Sequence, residues 1–206
     1  MYRHPSFVVD DAEFIRSSIA ERRLGTLVVT HAGGFEASPL PWLLVGDELH
    51  GHVVNAKPLV EICGEGVPCL VVFDVADGYV SPSWYPSKVE HGRVVPTWNY
   101  LAVHVHGSVR VVTDRKWIDD QVRSLTHLME QNRPEPWSVS DAPDTFIQKQ
   151  LSSITGLVIT IERIEAKAKL SQNRTDADRV AVQEKIVGGN PGAGIADYMV
   201  NLVPDS

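Results

Sequence analysis

Residues 79–107, YVSPSWYPSKVEHGRVVPTWNYLAVHVHG, hold the densest collection of side chains that could do chemistry. Trp84, Tyr85, Trp98 and Tyr100 offer flat apolar faces with polar tips. Ser81, Ser83, Ser87, Thr97 and Asn99 offer short hydrogen-bonding groups, and Lys88 and Arg93 bring positive charge. Stacking faces, directional polar groups and cations together suit a planar heteroaromatic ligand with a phosphate tail. An aromatic-rich core loop or a subunit interface draws on the same residues. Pro82, Pro86 and Pro96 stiffen the backbone without diluting the aromatics, which predicts an ordered loop followed by a strand.

A second group, KLSQNR at residues 169–174, combines Lys169 and Arg174 with Ser171, Gln172 and Asn173. These are suitable partners for a phosphate and for the edge of a ring. They also suit the entry to a helix, with Asn173 or Thr175 as its cap and Asp178 at its positive end.

Other chemistries find less support. His52, His104 and His106 invite a metal, because histidines two apart on a strand project from one face, but no cysteine or carboxylate is spaced convincingly with them. Neither GxSxG nor GxGxxG nor GxxxxGK[ST] occurs, so a hydrolase elbow, a Rossmann turn and a P-loop have no basis. Cys63 and Cys69 are the only cysteines, too few for a disulfide framework, and they read as reduced and structural.

The elements that must position these groups follow from periodicity. A first helix is expected over Phe7–Arg22, capped by Asp10 or Asp11, with Phe14, Ile15, Ser18 and Ile19 on one face. Residues 24–31 read as a strand, and Gly33-Gly34 turns the chain into a second one around Ala37–Val45. Pro39 and Pro41 mark that second strand as an edge strand or a bulged one. ELHGHVVN is a further strand, and a helical turn through Leu59 and Ile62 leads to the apolar run VPCLVVFDV, which Asp77-Gly78 should end. From Trp98 the period is close to two: Asn99, Leu101, Val103, Val105, Val109 and Val111 point one way, and Trp98, Tyr100, His104, His106 and Arg110 the other. Asp114 caps an amphipathic helix, Pro143 opens another, residues 156–170 form a long strand, and a last helix spans about Asp176–Ile186.

Strands without regular βαβ alternation predict a mainly β or α+β fold, an antiparallel sheet or small barrel with peripheral helices. We assign residues 1–187 to one domain and 188–206 to a glycine-rich C-terminal tail. The 206 residues, 43% hydrophobic and 22% charged, have the composition of a soluble globular chain. No apolar run approaches a membrane span and no secretory h-region is visible, so a cytoplasmic location is expected. The net charge of −7 argues against wide non-specific binding to DNA.

The motifs YVSPSWY, VPTWNYLAVHVHG and KLSQNR, together with MYRHPSF, LPWLL, GHVVNAKP and SDAP in the same order, resemble the PaiB family. This family comprises FMN-binding negative transcriptional regulators within the pyridoxamine-phosphate-oxidase-like split barrels, and the resemblance covers roughly residues 1–187. It implies a split β-barrel homodimer with FMN at the subunit interface. On that basis Ser81, Trp84, Tyr85, Thr97, Trp98, Asn99 and Tyr100 would line the flavin or the dimer seam. Lys57, Lys88, Lys169 and Arg174 would serve the phosphate, and Ser171, Gln172 and Asn173 the ribityl chain or ring edge. Lys57 stands where the family usually has Asn, and Asp74-Val75-Ala76 where it has Gln-Gly-Pro. A flavin-dependent oxidoreductase is the alternative function, with His104 and His106 as proton donors, and a haem-handling split barrel is a third. No helix-turn-helix with a basic recognition helix is visible.

Overall fold

The computed structural model describes residues 1–2, 4–55, 59–188 and 193–202. Its strands are β1 (Val8–Val9), β2 (Leu24–His31), β3 (Gly34–Pro41), β4 (Leu43–Val45), β5 (Glu48–Val54), β6 (Val67–Val80), β7 (Thr97–Val112) and β8 (Ile154–Lys169). They form one antiparallel sheet in the order β3-β2-β6-β7-β8-β5-β4, and β1 pairs with β8. The helices are α1 (Ala12–Arg22), α2 (Leu59–Cys63), α3 (Ser87–His91), α4 (Arg115–Glu130), α5 (Asp144–Ser152), α6 (Asp176–Val187) and α7 (Ala193–Leu202). The class is α+β, as the periodicity predicts. Among the described residues no helix is long and apolar enough to cross a membrane.

The chain forms two compact units: Met1–Ile19 with Phe73–His104 and Glu165–Ser206, and Ala20–Val72 with Val105–Ile164. In the second unit, β2 and β3 pair from Leu24↔Pro41 to His31↔Gly34 across the predicted glycine turn. β3 is an edge strand, the position at which Pro39 and Pro41 lose no ladder hydrogen bond. Trp42, almost fully buried between β3 and β4, donates from Nε1 to the Gly25 carbonyl at 3.1 Å. Its ring lies against Gly51, where a Cβ would come within 2.8 Å of it. Gly156 similarly admits the Trp117 ring, which brings α4 onto the sheet, and the Asp114 carboxylate caps that helix through the Trp117 amide at 2.7 Å. Ile118 of α4 forms a small core with Val139, Ile147 and Leu151.

Burial pushes the Cys63 thiol up to about 11, and burial, then Cys63 and Glu162, push Cys69 up to about 12. Both thiols stay protonated at neutral pH and are poor nucleophiles.

In the first unit, Asp11 Oδ1 accepts from the Phe14 amide and opens α1 five residues later than periodicity suggests. The preceding residues form a 3-10 turn, Pro5–Phe7, and then β1, where Val8 and Val9 pair with Lys167 and Ala166. β6 continues through Asp77-Gly78 to Val80 instead of turning there. Within the segment expected as a tail, residues 193–202 form α7, with Ile195, Ala196 and Met199 buried and Tyr198 edge-on to Phe14.

At Gly107 strands β7 and β8 approach closely, because a Cβ there would lie 2.1 Å from the Thr160 carbonyl oxygen. Backbone cannot retreat as a flexible side chain can. Gly107→Ala is therefore expected to cost about 2 kcal/mol or more, measured by urea denaturation, and an unchanged midpoint would show that the strands yield freely.

Candidate functional site

The described candidate residues lie in the first unit and fall on two sides of the sheet. Along β7, residues 99, 101, 103, 105, 107 and 109 are buried, so Trp98 and Tyr100 occupy the opposite face from Asn99. β8 has the same alternation at its end, with Ala166, Ala168 and Leu170 buried and Lys167 and Lys169 on the more open side.

The open side carries cations beside aromatic rings. Lys169 Nζ donates to Thr97 Oγ1 and, at 2.7 Å, to the Trp98 carbonyl. Lys167 Nζ sits 5.4 Å from the centre of the Tyr100 ring and 5.7 Å from that of Tyr2. Trp98 is 54% exposed and meets Tyr79 edge to face at 6.0 Å. Partial burial, then Lys167 and Arg174, hold the Lys169 ammonium below the usual lysine range. An anion beside Lys169 would relieve that repulsion.

The other side is closed. Asn99, with no exposed surface, accepts from Ser171 Oγ at 3.0 Å and donates to Met199 Sδ at 3.6 Å. Tyr85 is also buried, and the Arg174 guanidinium lies 5.0 Å from the centre of its ring. Ser171 and Arg174 flank the Tyr85 Oη, which finds no partner at full hydrogen-bonding geometry among the described residues. Burial raises the Tyr85 phenol, and Arg174 pulls it partly back. Ser87 gives both its amide, at 3.1 Å, and its hydroxyl, at 2.7 Å, to the buried Asp178 carboxylate, which fixes α3 to α6.

The remaining candidates hold the backbone. Ser81 caps the 3-10 turn Pro82–Trp84 through the Ser83 amide, leaving Trp84 half-buried within it, and exposed Lys88 donates to Ser83 Oγ at 3.2 Å. Gln172 closes the turn after β8: its Oε1 accepts from the Leu170 amide and its Nε2 donates to the Ala168 carbonyl, both at 2.6 Å. Ser171 takes a left-handed φ of 66° in that turn. Asn173 is exposed there, and Thr175, not Asn173, caps α6. Lys57 lies outside the described residues.

Tyr2, Tyr79, Lys167 and Met199 join these groups beyond the residues that the sequence motifs single out. Lys167 had a signal, since two residues before Lys169 on a strand is the same face. Tyr2 and Met199 had none, because their places depend on β1 pairing and on α7.

Residues 1–163 match the family described as "Putative FMN-binding domain". The Protease synthase and sporulation protein PAI 2 of Bacillus subtilis is 31% identical over 213 residues, covering 100% of this chain and 97% of that protein. The chain belongs to the PaiB family of FMN-binding domains. The PaiB-type fold is a split barrel. The FAD- and haem-binding protein of Mycobacterium smegmatis shares it with a TM-score of 0.61 at 19% identity, over 90% of this chain and 81% of that one. Flavocytochrome Anf3 of Azotobacter vinelandii does so with 0.60 at 15%, over 82% and 72%. FMN is the cofactor of this domain family. The donor set fits it on this chain: ammonium groups crowded together favour a phosphate, and exposed Trp98 provides a stacking face.

The Tyr85–Arg174 pair gives a direct test. Arg174→Ala should drive the Tyr85 phenol higher still, so its tyrosinate appears later in an alkaline titration, read as the difference from a Tyr85→Phe control. The sign follows from linkage: a raised folded-state value favours the fold below the ordinary tyrosine range, and that contribution is lost as pH rises through it. An unshifted titration would mean that the guanidinium does not act on the phenol.

Proposed function

We propose that this PaiB-family chain is a homodimeric FMN-binding regulator in which FMN sits where the open aromatic and cationic side of the first unit meets a second copy. The observation that carries this reading is Lys169, repelled by Lys167 and by Arg174, with Lys167 and Lys169 on the open side beside exposed Trp98 and half-buried Tyr100. Lys169 and Arg174 are assigned to the phosphate, with Lys167 added to the set, and Trp98 and Tyr100 to the ring. Thr97 and the Trp98 carbonyl hold Lys169 in place. Asn99, Ser171, Tyr85 and Gln172 support the site from behind or hold its turn, and Ser81, Trp84, Lys88 and Asn173 stay at its margin. Bound FMN would supply reversible one- or two-electron chemistry.

The regulatory role rests on kinship with PAI 2, whose name links that protein to protease synthesis and sporulation. A net charge of −7 disfavours direct grip on DNA, so we assign regulation to the flavin's redox state or to a protein partner, in the cytoplasm.

Purified protein is expected to show a flavin absorption spectrum and to release FMN on denaturation, identified by mass, and to elute as a dimer. Lys169→Ala should raise the FMN dissociation constant by about tenfold or more with the dimer intact. Affinity in the unmodified protein should also fall as pH rises through the lowered Lys169 value, because the phosphate is attracted only to the charged ammonium. No uptake of FMN, or equal affinity in the variant, would remove this site from the protein's function.

A further inference from the structure

The second unit contains a chamber that the flavin reading does not use. α4, α5 and the segment between them form a half-open hollow of about 240 Å³ against the sheet, walled by Val122, Val139, Ile147, Leu151 and Ile154. One imidazole, His52 of β5, faces it. Trp137 forms another wall, held by its amide's hydrogen bond to Glu130 at 3.1 Å, and Thr126 and exposed Gln150 supply the other polar groups.

The His52 ring is held in position. Its Nδ1 lies 2.8 Å from Gln121 Oε1, and Gln121 is 95% buried on α4. A carbonyl oxygen only accepts, so in the neutral ring Nδ1 carries the hydrogen and Nε2 offers a lone pair. The Gln121 Nε2 is itself buried with no partner among the described residues. A half-buried imidazole at the wall of an apolar hollow, oriented by a buried amide behind it, offers a ligand one directional polar contact.

Size and charge narrow the ligand class. The volume is below the range of drug-sized sites, and an apolar cavity of about 150 Å³ already admits benzene, so one ring or a small fused pair fits. An adjoining hollow of about 200 Å³ shares Thr126, Trp137 and Val139 and adds Arg123 and His127. Arg123 does not make this an anion site: its Nε is bonded to Asp119 at 2.8 Å, and Asp144 and Asp120 lie near it. The occupant is therefore uncharged.

We infer that this chamber binds a small neutral aromatic molecule bearing one O–H or N–H, which donates to His52 Nε2 while the ring fills the apolar walls. Gln121 is the positioning residue.

Phenol and anisole are the probes, since the methyl ether keeps the ring and removes the donor. The measurement is calorimetric titration of the full chain, with and without saturating FMN. Saturable phenol binding is expected, with anisole about tenfold weaker, the loss of one buried hydrogen bond. His52→Ala should weaken phenol to the anisole level and abolish the discrimination. Thr126→Trp should block both probes while circular dichroism and thermal midpoint show a folded chain. No saturable binding, equal affinity for the two probes, or an unaffected His52→Ala variant would overturn the inference. Displacement of phenol by FMN would also overturn it, by making the chamber part of the flavin site. A protein that binds phenol but never FMN would sustain it while removing the proposed cofactor reading.

Discussion

Strand β7 can bury only one of its faces, and that restriction sorts the residues of the candidate site. The positions from Asn99 through Leu101, Val103, Val105, Gly107 and Val109 are all buried. Displacing the strand by one residue would send Trp98, Tyr100, His104 and His106 into that face and expose the branched side chains. The register is thus fixed by hydrophobic burial, and the aromatic side is left over by necessity. Lys167 and Lys169 of β8 meet Tyr100 and Thr97 there because β8 obeys the same alternation. Asn99 is the exception, a polar residue on the buried face. An amide without partners there would cost a few kcal/mol, and Ser171 and Met199 satisfy both ends of it.

The KLSQNR segment resolves into two jobs divided residue by residue. Gln172 spends both ends of its amide on the backbone of β8, and Ser171 accepts the left-handed φ that lets the chain turn. Thr175 then opens α6, whose first turn carries Asp178. That buried carboxylate is tolerable because Ser87 gives it two hydrogen bonds and the helix N-terminus favours its charge. Lys169 and Arg174 are left to supply positive charge, one toward Thr97 and the Trp98 carbonyl and the other over Tyr85. The helix-entry and phosphate readings of the motif are therefore compatible.

Much of this was legible because it is local. The alternation of β7, the caps at Asp11 and Asp114, the glycine turn before β3 and the prolines of an edge strand each depend on neighbours in sequence. The misreadings concern elements whose partners are remote. Asp77-Gly78 has turn composition, yet it lies within a strand 14 residues long. β1 has two residues and exists through its pairing with β8. α7 follows a glycine-rich stretch that predicts no order, and buries Ile195, Ala196 and Met199. Motif resemblance found Asn99 and Tyr85 but not their place behind the open face, because a motif records identity and not direction.

Charge separates the kinds of phosphate this chain can hold. Approach of a long polyanion is governed by the net charge of −7, which repels it at any distance within the Debye length of about 8 Å at physiological salt. A mononucleotide bound as proposed at Lys169 would respond instead to charges a few ångströms away, in a partly desolvated setting where screening is weak. The same lysine that repels its neighbours when alone becomes favourable once a phosphate stands between them. On the proposed reading, an acidic chain with a small cationic patch would favour a compact phosphate ligand over a nucleic acid, and an effect on transcription would pass through that ligand or through a protein that recognises its bound state.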